Sequence, residues 1–428
     1  MKDSARSRLA ALLLVAVIWA ALFLPGLGVQ GFRGEESTRA LPAVEMLEDG
    51  HWILPHLGGQ PYYNKPPLVN WLIAASFAIL GERTEFTARL PSAVCILVFC
   101  AVLVCKGGPL LPLRARVISA LVFMTNFSMI EKGRTIEIDG IYACLTGLAA
   151  WWWLDEWHRS RSRWLLWLPT GAFLALGMLA KGPIHAVLFY VMVLVVVIGE
   201  KRVRELFRIE HLAGLAVVAA LSGGWYLLAR MRTDPSAMTG RMQREFLARF
   251  SLDLTEAGRW AWNIFKALLL FLPWLIVTPL LWRREVLAEM PPGRARLFRL
   301  CRLAVLASAA LVFLMPRFRS RYSTPVLPLA SIVFGWALAY QVNSERLDRV
   351  WRHALLVGFI GIALTAAAGL VFVSHGPVAW VAAGATVAAA GAFVARRKRY
   401  QGTYGLSLIT AGMVIEGILL YTAFAGPL

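Results

Sequence analysis

The chain has 428 residues and a formal net charge of +19, with 58% hydrophobic residues and only 16% charged. A soluble protein carries about a quarter charged residues, so this composition excludes an ordinary soluble domain, and the lack of short alternating segments argues against an outer-membrane barrel. Lys and Arg collect in the cytoplasmic loops of membrane proteins, so the positive charge needs no nucleic-acid partner.

The predicted class is an all-α polytopic membrane protein. A span needs roughly 20 apolar residues. Thirteen windows qualify in chain order: 9–29, 89–105, 116–131, 139–157, 164–180, 183–199, 211–231, 263–282, 300–315, 322–340, 352–374, 377–395 and 403–425. The first is read as an uncleaved span with Lys2, Arg6 and Arg8 inside. The five cysteines, Cys95, Cys100, Cys105, Cys144 and Cys301, lie in or beside apolar segments without metal-site spacing, as small core or lipid-facing residues do.

One further apolar stretch, Pro67–Leu80, decides the register. If it does not cross, basic loops such as "HRSRSR", "EKRVRELFR" and "RRKRYQG" all fall on the N-terminal side, as the positive-inside rule requires. If it crosses, "RSRSR" and "RRKR" become external. Its 14 residues also suit an interfacial helix, begun by Pro66 and Pro67, better than a span. The external segments are then 30–88, 132–138, 181–182, 232–262, 316–321 and the C-terminus, with the N-terminus cytoplasmic. Acids and bases that do not serve as inside anchors converge on that outer face, the layout of an enzyme working at a water–lipid boundary.

In chain order, the chemistry begins at Glu35 and Glu36, adjacent carboxylates after Gly34. Like charges side by side tend to raise one pKa, and a poised carboxylate accepts a proton from a nucleophile; a solvated loop pair is the plainer alternative. Glu45, Glu48 and Asp49 are expected on the wet face of a short helix ending at Gly50. His51 and His56 read as structural. Tyr62 and Tyr63 fit an interfacial aromatic belt. Lys65 suits a lipid phosphate or simple snorkelling to headgroups. Asp139 stands where a span enters, and an acid there is costly without a cavity or partner. Lys181 breaks a long apolar stretch in "LAKGP". Arg317, Arg319 and Arg321 stand outside, against the positive-inside trend, and an anionic substrate is a natural cause. Carboxylates for proton removal beside cations for phosphate suggest group transfer from a lipid phosphate donor.

These residues also carry a family resemblance. The stretch from "GEESTRALPAVEMLEDGHW" through "GGQPYYNKPPLVNW" to "TEFTARLPSAV" resembles the first-loop signature of the dolichyl- and polyprenyl-phosphate-dependent glycosyltransferases, which include the protein O-mannosyltransferases and the lipid A aminoarabinose transferase. The likeness continues through Asp139, "LAKGP", "RF" at Arg249-Phe250 and "RYSTPVLPLA" from Arg321, over about residues 30 to 340. It implies the GT-C membrane fold, with an external first loop that contains juxtamembrane helices. It also implies Glu35 as the base with Glu36 beside it, Asp139 as a second acid, and Lys65, Lys181 and Arg321 as ligands of the donor phosphate. Tyr62, Tyr63, Arg89, Arg249, Arg317 and Tyr322 are the substrate-binding candidates that go with it. The family usually has Asp where Glu35 stands, and often Lys where Arg321 stands. The aminoarabinose transferases have a Glu, implicated in holding a metal, where this chain has Asn64, and a His after "RF" that the stretch 250–262 lacks. No cofactor follows from the sequence, and a divalent metal stays an open alternative.

The expected organisation is a catalytic membrane region, 1–340, including the external loop 30–88, and C-terminal transmembrane helices, 341–428, without a soluble C-terminal domain. The expected activity moves a sugar from a polyprenyl-phosphate donor to a glycolipid, glycan or protein acceptor on the outer face of the cytoplasmic membrane, among membrane lipids. A lipid-linked glycan ligase is one rival. A transporter or flippase is the other, and it predicts charges near span centres and inverted repeats, neither of which is seen.

Overall fold

The structure, a computed structural model, describes residues 3–234, 257–340 and 349–353, with the single positions 236, 239, 240, 410, 412 and 414. Helices dominate. The β-structure among the described residues is one antiparallel pair, His56–Leu57 against Gln60–Pro61. Five helices are long and apolar enough to cross a membrane, and up to seven if each of two bent pairs is one span. The five are α1 (Ala5–Phe23), α4 (Glu85–Cys105), α8 (Arg163–Ala180), α10 (Ile209–Arg230) and the final Ser320–Ala339. The predicted windows 139–157, 183–199 and 300–315 are helical too, as α7 (Ile138–Arg159), α9 (Ile184–Gly199) and the helix Pro292–Phe313. The window 377–395, nearly all of 352–374 and of 403–425, and Arg249 lie outside the described residues.

Two of the predicted single spans are broken instead. The window 116–131 becomes α5 (Leu113–Met124) and α6 (Phe127–Gly133), bent by 68°, and 263–282 becomes Ala257–Leu270 and Trp274–Trp282, bent by 87°. Side chains cause the first break. Thr125 Oγ1 donates back to the Leu121 carbonyl at 2.6 Å, and Asn126 caps the new helix by accepting from Met129 N at 2.9 Å. The second break meets the first: Phe127 N donates to the Leu272 carbonyl at 3.0 Å, and Trp274 Nε1 donates to Thr125 Oγ1 at 2.9 Å. Each bend thus supplies partners for backbone and side-chain groups that the other sets free.

The first loop packs onto this bundle through two short helices, α2 (Ser37–Asp49) and α3 (Leu68–Leu80), each ended by a left-handed glycine, Gly50 and Gly81. At a rise of 1.5 Å per residue, α3 is about 20 Å long, short of the roughly 30 Å hydrocarbon core. It begins after Pro67 and buries Val69, Ile73 and Phe77. Glu45 departs from its expected place on the wet face of α2. It is buried, because it accepts from Gly58 N at 2.6 Å and Gly59 N at 3.4 Å in the hairpin turn. Both glycines have φ near the left-handed region, at 62° and 73°, so the turn needs them. That turn aims the chain toward Tyr62 and Lys65.

α7 crosses the centre of the core with acids at both ends. Asp139 opens it, and Asp155, near its far end, lies 3.1 Å from Lys106 and 2.7 Å from Arg159. Buried carboxylates of this kind persist only when paired.

Candidate active site

Five separate chain segments meet at one end of the bundle. The loop after α1 supplies Glu35 and α2 supplies Arg39. The turn before α3 supplies Lys65, the first turn of α7 supplies Asp139, and the α8–α9 turn supplies Lys181. The 3-10 segment Ser320–Val326 adds Arg321 and Tyr322. Glu35, Arg39, Lys65, Arg321 and Tyr322 line a cavity of about 520 Å³ together with Tyr62, Asn64, Arg317 and Arg319. The same five residues, with Asp139, Lys181 and Glu137, line a recess of about 30 Å³, room for about one water molecule.

Glu35 is exposed. Its Oε2 lies 2.9 Å from Arg39 Nη2 and its Oε1 lies 3.6 Å from Arg321 Nη1. Partial burial pushes its pKa up, but the positive charges of Arg321, Arg39 and Lys65 outweigh that and hold it below the usual carboxylate range. It is therefore ionised and able to accept a proton at neutral pH. Arg39 is buried, and its Nη1 donates to Tyr62 Oη at 2.5 Å. Arg39 is not among the site residues expected from the sequence, although its spacing four residues after Glu35 at a helix start is a readable signal.

Asp139 is buried and pairs directly with Lys181 Nζ. The Lys181 ammonium lies 5.7 Å from the ring centres of both Tyr142 and Tyr322, within cation–π reach. Burial lowers the Lys181 pKa, and Asp139 offsets part of that, while Arg321 and Lys65 add to the lowering. The lysine turn is held from behind. Tyr142 Oη donates to the Gly182 carbonyl at 2.9 Å and accepts from His185 N at 2.7 Å. Gly182 has φ +110°, a conformation closed to most other residues.

Glu36, Tyr63 and Arg89 do not line either of these cavities. Glu36 is buried and accepts from Arg89 Nε at 2.9 Å and Arg89 Nη2 at 2.8 Å. Burial raises the Glu36 pKa, and hydrogen bonds from Arg89, Arg33 N and Ile136 N overcome it and lower the value. Tyr63 bonds Thr233 through its hydroxyl. Arg317 and Arg319 are exposed on the rim, and they also border a second cavity of about 490 Å³ with Arg259, Lys266 and Lys132. Among the described residues no group of three His, Cys, Asp or Glu is placed to hold a metal ion. Asn64 lines the larger cavity at the place where the resemblance asks for a carboxylate ligand, so the residues present do not fit that metal site.

An acid–cation cluster at the end of a helical bundle, under a first loop with two short helices, is the arrangement that the resemblance to the GT-C fold implies. The structure superposes on the crystal structure of ArnT from Cupriavidus metallidurans bound to undecaprenyl phosphate with a TM-score of 0.77 and 20% identity, covering 99% of this chain and 78% of that one. The arabinosyltransferase EmbB of Mycobacterium smegmatis gives a TM-score of 0.51 at 12% identity, over 97% of this chain and 40% of that one. Residues 64–226 match the family described as dolichyl-phosphate-mannose-protein mannosyltransferase. The undecaprenyl phosphate-α-4-amino-4-deoxy-L-arabinose arabinosyl transferase of Pseudomonas savastanoi pv. phaseolicola is 30% identical over 262 residues, 60% of this chain and 48% of its own. The protein of the same name from Pectobacterium atrosepticum is 26% identical over 381 residues, 84% of this chain and 66% of its own. The chain spans about half to two thirds of the length of these curated relatives. Within the GT-C fold, the chain is ArnT-like, resembling the polyprenyl-phosphate-dependent glycosyltransferases.

Proposed function

We propose that this protein transfers a sugar from a polyprenyl-phosphate donor to a glycolipid, glycan or protein acceptor at the outer face of the cytoplasmic membrane. The observation that carries the reading is the meeting of Glu35 with Lys65, Lys181 and Arg321 around shared cavities, from segments far apart in the chain. The larger cavity, about 520 Å³, falls in the range of small-molecule sites. Likeness to proteins named for an undecaprenyl-phosphate sugar supports the donor class.

In this mechanism the acceptor oxygen or nitrogen attacks the anomeric carbon, and Glu35 takes its proton. The bond from that carbon to the phosphate oxygen breaks with inversion, and its electron pair leaves on the lipid phosphate. Lys65, Lys181 and Arg321 stabilise the charge that grows there. Asp139 keeps Lys181 charged in its buried place. The phosphate also competes with Glu35 for Arg321 and Lys65, so donor binding removes part of what depresses the Glu35 pKa and makes it a stronger base. No step runs through a metal.

The active face, the cytoplasmic N-terminus and the division into a catalytic region, 1–340, and further helices, 341–428, belong to the same proposal. Purified protein in liposomes, supplied with polyprenyl-phosphate sugars and candidate acceptors, tests it by mass spectrometry of the products. Envelope glycans unchanged in a deletion strain, together with no transfer in vitro, would reject it.

A further inference from the structure

Glu36 stands beside the proposed base yet takes no part in the cluster around it. It is 2% exposed, and its two oxygens accept four hydrogen bonds from three places. Its Oε2 accepts from Arg33 N at 2.9 Å and Arg89 Nη2 at 2.8 Å. Its Oε1 accepts from Arg89 Nε at 2.9 Å and Ile136 N at 3.0 Å. The four donors use its acceptor capacity in full. Arg89 in turn donates from Nη1 to the carbonyls of Leu27 at 2.8 Å and Gln30 at 2.7 Å, and from Nη2 to Gly31 at 3.1 Å.

We infer that Glu36 and Arg89 form a positioning clamp that sets the distance between the base Glu35 and the Asp139–Lys181 pair. The inference rests on the proposed transfer reaction and deepens it. Glu36 is covalently next to Glu35, and Ile136 lies three residues before Asp139. One carboxylate therefore fixes the loop that carries the base and the backbone that launches α7. Arg89, rooted in α4, anchors both to a rigid helix. Two adjacent carboxylates thus hold opposite posts: Glu35 exposed toward the cavity, Glu36 turned inward and spent on structure. A fork-to-fork guanidinium–carboxylate pair fixes orientation as well as distance, and misplacement of reacting groups by about 1 Å can cost about a hundredfold in rate.

The test uses the full-length protein in liposomes with a polyprenyl-phosphate sugar. Glu36→Gln places an amide donor against a backbone N–H or against Arg89. Its kcat is expected to fall about a hundredfold, with donor KM within about threefold and the acid limb of the kcat profile retained, because Glu35 is still the titrating base. Arg89→Gln is expected to give a similar fall, and the double variant to lose far less than the product of the two, as partners of one clamp do. Glu36→Asp keeps the charge and the fold but shortens the reach, so an intermediate kcat is expected. If Glu36→Gln, or Glu36→Asp where Glu36→Gln does not fold, keeps kcat within threefold of wild type, the clamp is overturned. If Glu36→Gln abolishes transfer while Arg89→Gln stays active, Glu36 is the base and the clamp is again overturned. Absence of transfer by the wild-type protein itself fails the proposed function instead, and is distinguished on that ground.

Discussion

Asp139→Asn isolates the contribution of the buried acid. Asp139 and Lys181 are both nearly inaccessible, with side chains 4% and 11% exposed. Deleting one member of such a pair strands the other charge, at a cost of about 3–5 kcal/mol. Lys181 has a way out that an arginine would not have: it can lose its proton. Burial already lowers its pKa, and Asp139 is the group that raises it, so the substitution drives the pKa down further. A lysine with a lowered pKa is charged below that value and neutral above it. The variant should therefore bind donor worst at alkaline pH, and the defect should shrink as pH falls and the ammonium returns. A lost phosphate contact to a charged group is worth about 1.5–3 kcal/mol, or about a ten- to hundredfold weaker donor affinity. Donor KM measured in liposomes from about pH 6 to about pH 9, on either side of neutral but below the usual lysine pKa, checks this. A defect independent of pH, or donor affinity equal to wild type throughout, would refute the assignment of Asp139 as keeper of the Lys181 charge.

Glu35→Gln should remove transfer and leave donor binding nearly intact, since a lost base acts on the chemical step; near-normal turnover would reject Glu35. In the wild type, Arg321, Arg39 and Lys65 depress the Glu35 pKa against the effect of burial, and a base is lost as pH falls through its pKa. The acid limb of kcat should therefore lie at higher pH than that of kcat/KM, because bound phosphate draws off Arg321 and Lys65. Coincident limbs would sink that coupling. Lys65→Ala should weaken donor affinity about ten- to hundredfold, by a phosphate contact worth about 1.5–3 kcal/mol, and Lys65→Arg should restore it only in part, since a planar fork does not replace a compact ammonium; wild-type affinity in Lys65→Ala would leave this lysine as a headgroup anchor. Cysteines placed at Asn64 and Ser236 should both react with an impermeant thiol reagent from outside, whereas labelling of one alone would show that Pro67–Leu80 crosses the membrane.

Helix positions were legible where composition alone decides them, as in α1, α4 and α8. The shortness of α3 was legible too, because Pro66-Pro67 and Gly81 bound it. The bends were not, since a hydropathy window measures apolar content and is blind to direction. Thr125 and Asn126 held that information locally, through back-bonds and capping. The site was legible as an inventory of types, and Asp139, Lys181 and Arg321 do line one recess. The separate fates of Glu35 and Glu36 were beyond the sequence, because neighbours in a chain differ only once Arg89 and Arg321 arrive from other segments. Glu45 was misread for the same reason: its partners are backbone amides of a turn, and no residue type announces them.

The two bends joined by Phe127 N to the Leu272 carbonyl and by Trp274 Nε1 to Thr125 Oγ1 have a consequence for how this chain can change. Within a bilayer, backbone groups released from a helix must find partners in the protein. Straightening the first bend by substitution would leave the Leu272 carbonyl and the Trp274 indole N–H unmet, and straightening the second would leave Phe127 N without its acceptor, at roughly 1–3 kcal/mol for each orphaned group. The bends are therefore one heritable character rather than two. Residues 125–127 and 272–274 should vary together among descendants of this chain, and a graft of either segment into a foreign bundle should succeed only when both are carried across.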